Sequence, residues 1–138
     1  PVVLSGNIPP RLPNWKLTIS YSRDFHYDWG VFTPRIVAKA SDRYFLDIYN
    51  RDRLESGIFD RLPHGGTDLG VQRSYQVFDF NLVFKPVSSS WTVSAFVNNA
   101  TDKNIKIDSG NVITEAGLVA TYIAPRTYGV QFNYQFDQ

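Results

Sequence analysis

From Tyr128 to Phe136 the chain alternates without exception. Tyr128, Val130, Phe132, Tyr134 and Phe136 are apolar or aromatic, and Gly129, Gln131, Asn133 and Gln135 fall between them. Successive side chains leave an extended strand on opposite faces. This pattern therefore specifies a strand with one apolar and one polar side, and no helix would sort these residues that way. Four other segments repeat the rhythm. In 15–22, Trp15, Leu17, Ile19 and Tyr21 oppose Lys16, Thr18, Ser20 and Ser22. In 31–48, Phe32, Ile36, Ala38 and Ala40 oppose Arg35 and Lys39, with Pro34 removing one ladder donor. This alternation extends through Tyr44, Leu46 and Ile48, predicting one long strand. In 74–85, Phe78, Phe80, Leu82 and Phe84 oppose Val77, Asp79, Asn81 and Val83. In 91–98, Trp91, Val93, Ala95 and Val97 oppose Thr92, Ser94, Phe96 and Asn98.

The segments between are unequal. Residues 1–14 hold Gly6, Pro9, Pro10 and Pro13 and read as an irregular leading loop. The connections at 23–30 and 86–90 are short. Those at about 50–70 and 99–125 are long, and loops of that length are usually functional or mobile. No helical period persists over three turns, and no internal repeat exists beyond the strand rhythm.

These features decide between two all-β architectures. No stretch reaches the roughly 20 apolar residues of a spanning helix, yet a barrel strand shows lipid only every second residue, so its mean hydropathy stays low. The strands are long for a soluble sandwich, whose strands average about 5–6 residues, and match the roughly 9–11 needed to span a bilayer at a tilt. Their apolar faces carry no charge. Short and long connections alternate, as periplasmic turns and extracellular loops do in outer-membrane barrels. Aromatics make up 15% of the chain, and they favour both strands and the water–lipid boundaries of barrels. On this reading the carboxy terminus lies in the periplasm. Net charge is +1 with scattered Lys and Arg, which leaves no footprint for nucleic acid. Cysteine is absent, so disulfides and thiolate sites are excluded. The chain starts at Pro1 without an initiator Met, as expected of a processed or longer polypeptide.

The carboxy-terminal segment Ala124-Pro125-Arg126-Thr127-Tyr128-Gly129, leading into the alternating strand, resembles the closing strand of TonB-dependent outer-membrane receptors. Trp91 to Val97 followed by Asn98-Asn99-Ala100-Thr101-Asp102-Lys103 resembles the penultimate strand and Asn-x-Thr-Asp motif of that family. Pro13-Asn14-Trp15 before a strand ending in Tyr21 fits as well. The resemblance implies about five antiparallel transmembrane strands from the carboxy-terminal part of a barrel of about 22 strands with a plugged lumen. It also implies active uptake of a scarce, bulky solute such as an iron chelate or cobalamin. The implied partners are the remaining barrel and plug, TonB acting on that plug, the barrel-assembly machinery, outer-membrane lipid and the small-molecule solute. No cofactor is implied. The family usually ends on an aromatic residue, whereas Asp137 and Gln138 follow Phe136 here.

Site expectations follow from the two faces. Trp15, Tyr21, Phe78, Phe80, Trp91, Tyr128 and Phe132 are expected toward lipid or in an aromatic girdle, and Tyr134 and Phe136 in an assembly signal. Arg35, Lys39, Asp79, Asn81, Gln131 and Asn133 are expected on the lumen wall, where they pair with a plug, contact solute or are merely hydrated. Tyr44, Tyr49, Arg51, Arg53, Phe59 and Arg61 are loop candidates for ligand contact, since binding residues concentrate on loops; a simply solvated loop is the alternative. His26 and His64 have no nearby Cys or His partner, so a metal site is not expected. Asn99-Ala100-Thr101 is a glycosylation sequon by chance. No nucleophile elbow or paired-carboxylate signature is present, so no enzyme is expected. Two alternatives stand beside the receptor: a small oligomeric outer-membrane pore or adhesin, and a soluble β-sandwich binding module.

The face assignment makes a paired prediction. Phe132→Arg places a charge on the lipid face at a cost of about 2–4 kcal/mol near mid-membrane, so folded protein in the outer membrane should fall sharply. Gln131→Arg, on the opposite face, should assemble normally. Equal damage from both, read by heat-modifiable mobility of the membrane fraction, would favour a two-layer soluble fold.

Overall fold

The computed structural model describes residues 5–48, 50, 70–112 and 117–136. Its elements are β1 (Lys16–Ser22), β2 (Phe25–Tyr27), β3 (Gly30–Ser41), β4 (Tyr44–Phe45), β5 (Val71–Gln72), β6 (Tyr75–Pro86), β7 (Trp91–Asn98), β8 (Lys106–Val112), β9 (Gly117–Tyr122) and β10 (Thr127–Tyr134). All are strands in antiparallel sheets. The chain divides into two units. The sheet unit comprises Leu17–Ala40, Gln76–Lys103 and Ala124–Gln138; the loop unit comprises Pro1–Lys16, Ser41–Tyr75 and Asn104–Ile123.

The main sheet runs β1-β3-β6-β7-β10, a meander in chain order, with β2 folded back on the start of β3. Register decides what each face shows, because directly paired residues share a face and a slip of one residue would exchange the faces. Leu82 pairs with Ala95, which pairs with Val130; Phe84 pairs with Val93, which pairs with Phe132. Phe80, Val97 and Tyr128 form a third apolar row. The reverse face carries Val83, Ser94 and Gln131 in one row and Asn81, Phe96 and Gly129 in another. The alternating patterns of three separate strands thus merge into one apolar and one mostly polar surface. The apolar surface is open: Tyr128 is 78% exposed, Val130 74% and Phe132 62%.

β3 and β6 have 12 residues each, about 40 Å at roughly 3.3 Å per residue. Tilted by about 40°, such a strand rises about 30 Å, the thickness of a hydrocarbon core. β7 has 8 residues and spans the 91–98 of the sequence pattern, whereas β1 with 7 and β10 with 8 stop one and two residues short of the 15–22 and 127–136 that the alternation marks. The ladder of β10 closes at Tyr134, although the Gln135 N–H still donates to the Ser90 carbonyl at 2.7 Å.

Three connections differ from the sequence reading. The alternation from 31 to 48 is not one strand, because β3 stops at Ser41. The Asp42 carboxylate there accepts the Arg43 N–H at 2.7 Å and the Asn14 amide at 2.9 Å. These local bonds compete with a sheet ladder and end it. Tyr44–Phe45 then pairs with Val71–Gln72 in a separate two-stranded sheet. Residues 99–125 are not all loop, since β8 and β9 form a hairpin with a register shift between Lys106 and Asp108. The short turn at 23–30 contains β2, with Tyr27 paired to Gly30.

Gly30 sits where β3 meets the end of β6. A Cβ there would lie 2.9 Å from the Lys85 carbonyl oxygen and 2.5 Å from the Phe84 ring. At Gly129 the obstacle is the tip of the Phe96 ring, 2.9 Å away, which covers the bare backbone. Backbone cannot swing aside and a ring can. Gly30→Ala should therefore lower stability by about 1–3 kcal/mol, and Gly129→Ala by less, compared by urea-unfolding midpoints in detergent micelles.

Candidate functional site

At the end of the sheet that bears the short turns, aromatic rings form a continuous row. Tyr27 stacks on Trp29 at 5.6 Å; Trp29 meets Phe32 at 5.2 Å and Phe84 at 5.4 Å. Phe32 stacks on Phe84 at 4.5 Å, Phe84 meets Trp91 at 5.7 Å, and Trp91 stacks on Phe132 at 5.9 Å. The row crosses β3, β6, β7 and β10, and Tyr134 with Phe136 at 4.7 Å continues the aromatic character past the ladder of β10. Each such pair contributes about 0.5–1.5 kcal/mol beyond its buried area. Of the residues singled out by sequence, Trp91 and Phe132 stand in this row. Phe80 and Tyr128 lie farther along the apolar face, each opposite Val97. Phe78 is half-buried on β6, Tyr21 is exposed near the end of β1, and Trp15 precedes β1. Tyr27 and Trp29 escaped the sequence reading because they fall in a turn, where alternation carries no signal.

On the polar face the structure joins some candidates and leaves others apart. Lys39 Nζ lies 2.6 Å from Asp79 Oδ2, bridging neighbouring strands. Gln131 Nε2 donates to Asn133 Oδ1 at 3.2 Å. Asn81 is paired with Phe96. Arg35 is exposed on β3. Tyr49, Arg51, Arg53, Phe59, Arg61 and His64 lie outside the described residues. His26 lies exposed on β2, and no group of three metal-ligating side chains occurs among the described residues.

In the loop unit, Tyr44 is the one described loop candidate. Its hydroxyl donates to the Lys106 carbonyl at 3.2 Å and is also hydrogen-bonded to Tyr75. Burial, helped by the neighbouring Tyr75 phenol, raises its pKa, so it remains a neutral donor. Gln72, 6% exposed, accepts the Lys106 N–H at 2.6 Å, and Lys106 Nζ reaches the Val71 carbonyl at 3.0 Å. Leu46, Val71 and Ile105 form the small apolar core around these bonds, each at most 5% exposed. Beside it, a hollow of about 200 Å³ is lined by Arg11, Lys16, Ser41, Tyr44, Tyr75 and Ile107.

The element sequence reasoning undervalued is the turn after β7. Asn99 is 4% exposed with φ of 49°, a left-handed conformation that Asn tolerates better than most residues. Its amide donates to the carbonyls of Lys103 at 3.0 Å and Ala124 at 3.2 Å, and its side-chain oxygen accepts the Lys103 N–H at 2.9 Å. The Asn99 N–H donates to Asp79 Oδ1 at 2.9 Å. Ala100 N–H and Thr101 Oγ1 bond the Phe78 and Gln76 carbonyls at 2.8 and 3.3 Å. Asp102 Oδ1 accepts the Arg126 N–H at 3.1 Å. The Asn-Ala-Thr-Asp run thus ties β6 and β7 to the approach of β10. A doubly donating, buried amide also explains why the sequon here is structural. Asn99→Ala leaves these buried groups unpaired, each at about 1–3 kcal/mol, and strains the turn. Asn99→Gly loses the same bonds without the strain, so it should unfold at a urea midpoint between wild type and Asn99→Ala.

No family model matches the chain, and no curated protein matches it significantly. Among solved structures it is similar to the crystal structure of the ferric yersiniabactin uptake receptor FyuA from Yersinia pestis, with a TM-score of 0.73 and 17% identity. The similarity covers 98% of this chain and 18% of that receptor, so the chain spans under a fifth of its length. At that identity the likeness shows the fold alone.

Proposed function

We propose that the chain is a wall segment of an outer-membrane receptor of the TonB-dependent kind, taking part in active uptake of a bulky, scarce solute. The observation that carries this reading is the register. It aligns the apolar faces of β6, β7 and β10 into one charge-free surface that stays open, which suits a lipid solvent and not water. In a soluble sandwich the same side chains would face a second sheet about 10 Å away, and Tyr128 and Val130 would not be some three-quarters exposed. The aromatic row suits the water–lipid boundary at the short-turn side. Arg35, Lys39, Asp79, Asn81, Gln131 and Asn133 then form lumen wall, and Tyr134 and Phe136 the signal for barrel assembly. The likeness to an uptake receptor supports the transport role.

This role requires more strands. The sheet order leaves one edge of β1 and one of β10 without a strand partner among the described residues, and open edges do not persist in lipid. The partners are the rest of the barrel and its plug, through which TonB acts.

The test is to measure the denatured masses of every polypeptide in the detergent-purified, folded protein. The expected result is enough further chain, joined or separate, to supply a plug and the balance of about 22 strands. This segment alone, or only copies of it, would replace the receptor with an oligomeric pore.

A further inference from the structure

We propose that the hollow of the loop unit binds an aryl carboxylate, an acid group carried on a single aromatic ring, as one arm of the transported solute. The inference rests on the uptake reading above and names the chemistry of one contact within it.

The hollow joins two chemistries. Arg11 and Lys16 bring two cations to it, and the Tyr44 and Tyr75 rings with Ile107 supply apolar wall, Ile107 being 47% exposed. Arg11 contacts Asp108 through one terminal nitrogen, Nη2, at 2.7 Å, with both side chains 57% exposed. A guanidinium has five N–H donors, and an exposed ion pair of this kind holds its partners only weakly. Arg11 therefore keeps donors for a second carboxylate. Lys16 has no ion pair among the described residues. Arg11 is also held in place. Its N–H donates to the Phe45 carbonyl at 2.7 Å, its φ is 61°, and Pro9, Pro10 and Pro13 stiffen the chain around it. A bulky residue in that left-handed region is strained, and strain of this kind concentrates at ligand clamps.

Size sets the class of ligand. Sites for whole drug-sized molecules enclose roughly 300–1,000 Å³, and this hollow has about 200 Å³. It accommodates one ring with its acid group and leaves the rest of a larger solute outside. A bare inorganic anion would satisfy the cations and leave the Tyr44, Tyr75 and Ile107 surfaces unused.

The experiment is a calorimetric titration of the detergent-purified protein, with whatever chains accompany it, using benzoate, benzamide and sulfate as probes. Benzoate should bind at least tenfold more tightly than benzamide, and its binding should weaken at high salt. Lys16→Gln and Arg11→Gln should each weaken benzoate binding by about tenfold, and Ile107→Ala should weaken it several-fold. Lys16→Gln changes an exposed side chain at the start of β1, so it keeps the test valid if Arg11→Gln does not assemble. Equal binding of benzoate and benzamide, or benzoate binding unchanged in Lys16→Gln, would overturn the proposal. So would sulfate competing as strongly as benzoate, which would reveal a bare anion site. Loss of the receptor reading shows up differently: the masses described above would reveal a pore, while Arg11- and Lys16-dependent benzoate binding would persist.

Discussion

The antiparallel hydrogen-bond ladder between β6, β7 and β10 is the constraint on which the rest of the structure depends. Its register places Phe84 against Val93 and Val93 against Phe132. A one-residue slip of β10 would set Gln131 or Asn133 in the apolar rows and put the aromatic residues of that strand among amides. In most domains a buried core enforces register. Here the described core is slight, confined in the sheet unit to Val77 among the hydrophobic residues. Register must come from the connections and from contacts across the sheet.

Two devices supply it, one at each end of the strands. At the short-turn end, the rings of Trp29, Phe32, Phe84, Trp91 and Phe132 interlock across four strands. At the other end, the Asn99 turn holds β6 through Gln76, Phe78 and Asp79, and the approach to β10 through Ala124 and Arg126. The Lys39–Asp79 ion pair shares Asp79 with that turn, so its carboxylate serves both the polar face and the turn. Asp79 first reads as a lumen candidate; the structure adds that one of its oxygens is committed to fixing a backbone. Whatever role the polar face plays, removing Asp79 would disturb β7 as well as the charge.

The loop unit follows a different logic. Its strands are short, and its order comes from side chains that reach backbone: Gln72 and Lys106 across β5 and β8, and Tyr44 to the Lys106 carbonyl. Such bonds tie segments distant in sequence without a repeating pattern. Loops built this way present varied side chains at modest stability.

The sequence by itself determined the alternation that marks 91–98 and 127–136 as strands, where the structure carries Trp91–Asn98 and Thr127–Tyr134, and the opposition of apolar and polar faces. These are local properties, written in period-two alternation and in turn residues. It also led to the break in β3 being missed: the alternation past Ser41 is real, but the Asp42 carboxylate, bonded to Asn14 and Arg43, ends the ladder. The β8–β9 hairpin was equally invisible, since Lys106 to Val112 mixes charged, polar and apolar residues without a steady period. Only the tertiary structure decided which candidates meet. Lys39 and Asp79 are 40 residues apart and bonded, and Arg11 and Asp108 are 97 apart and paired. Partnerships over such separations depend on strand order and register together, and neither is encoded in any single segment.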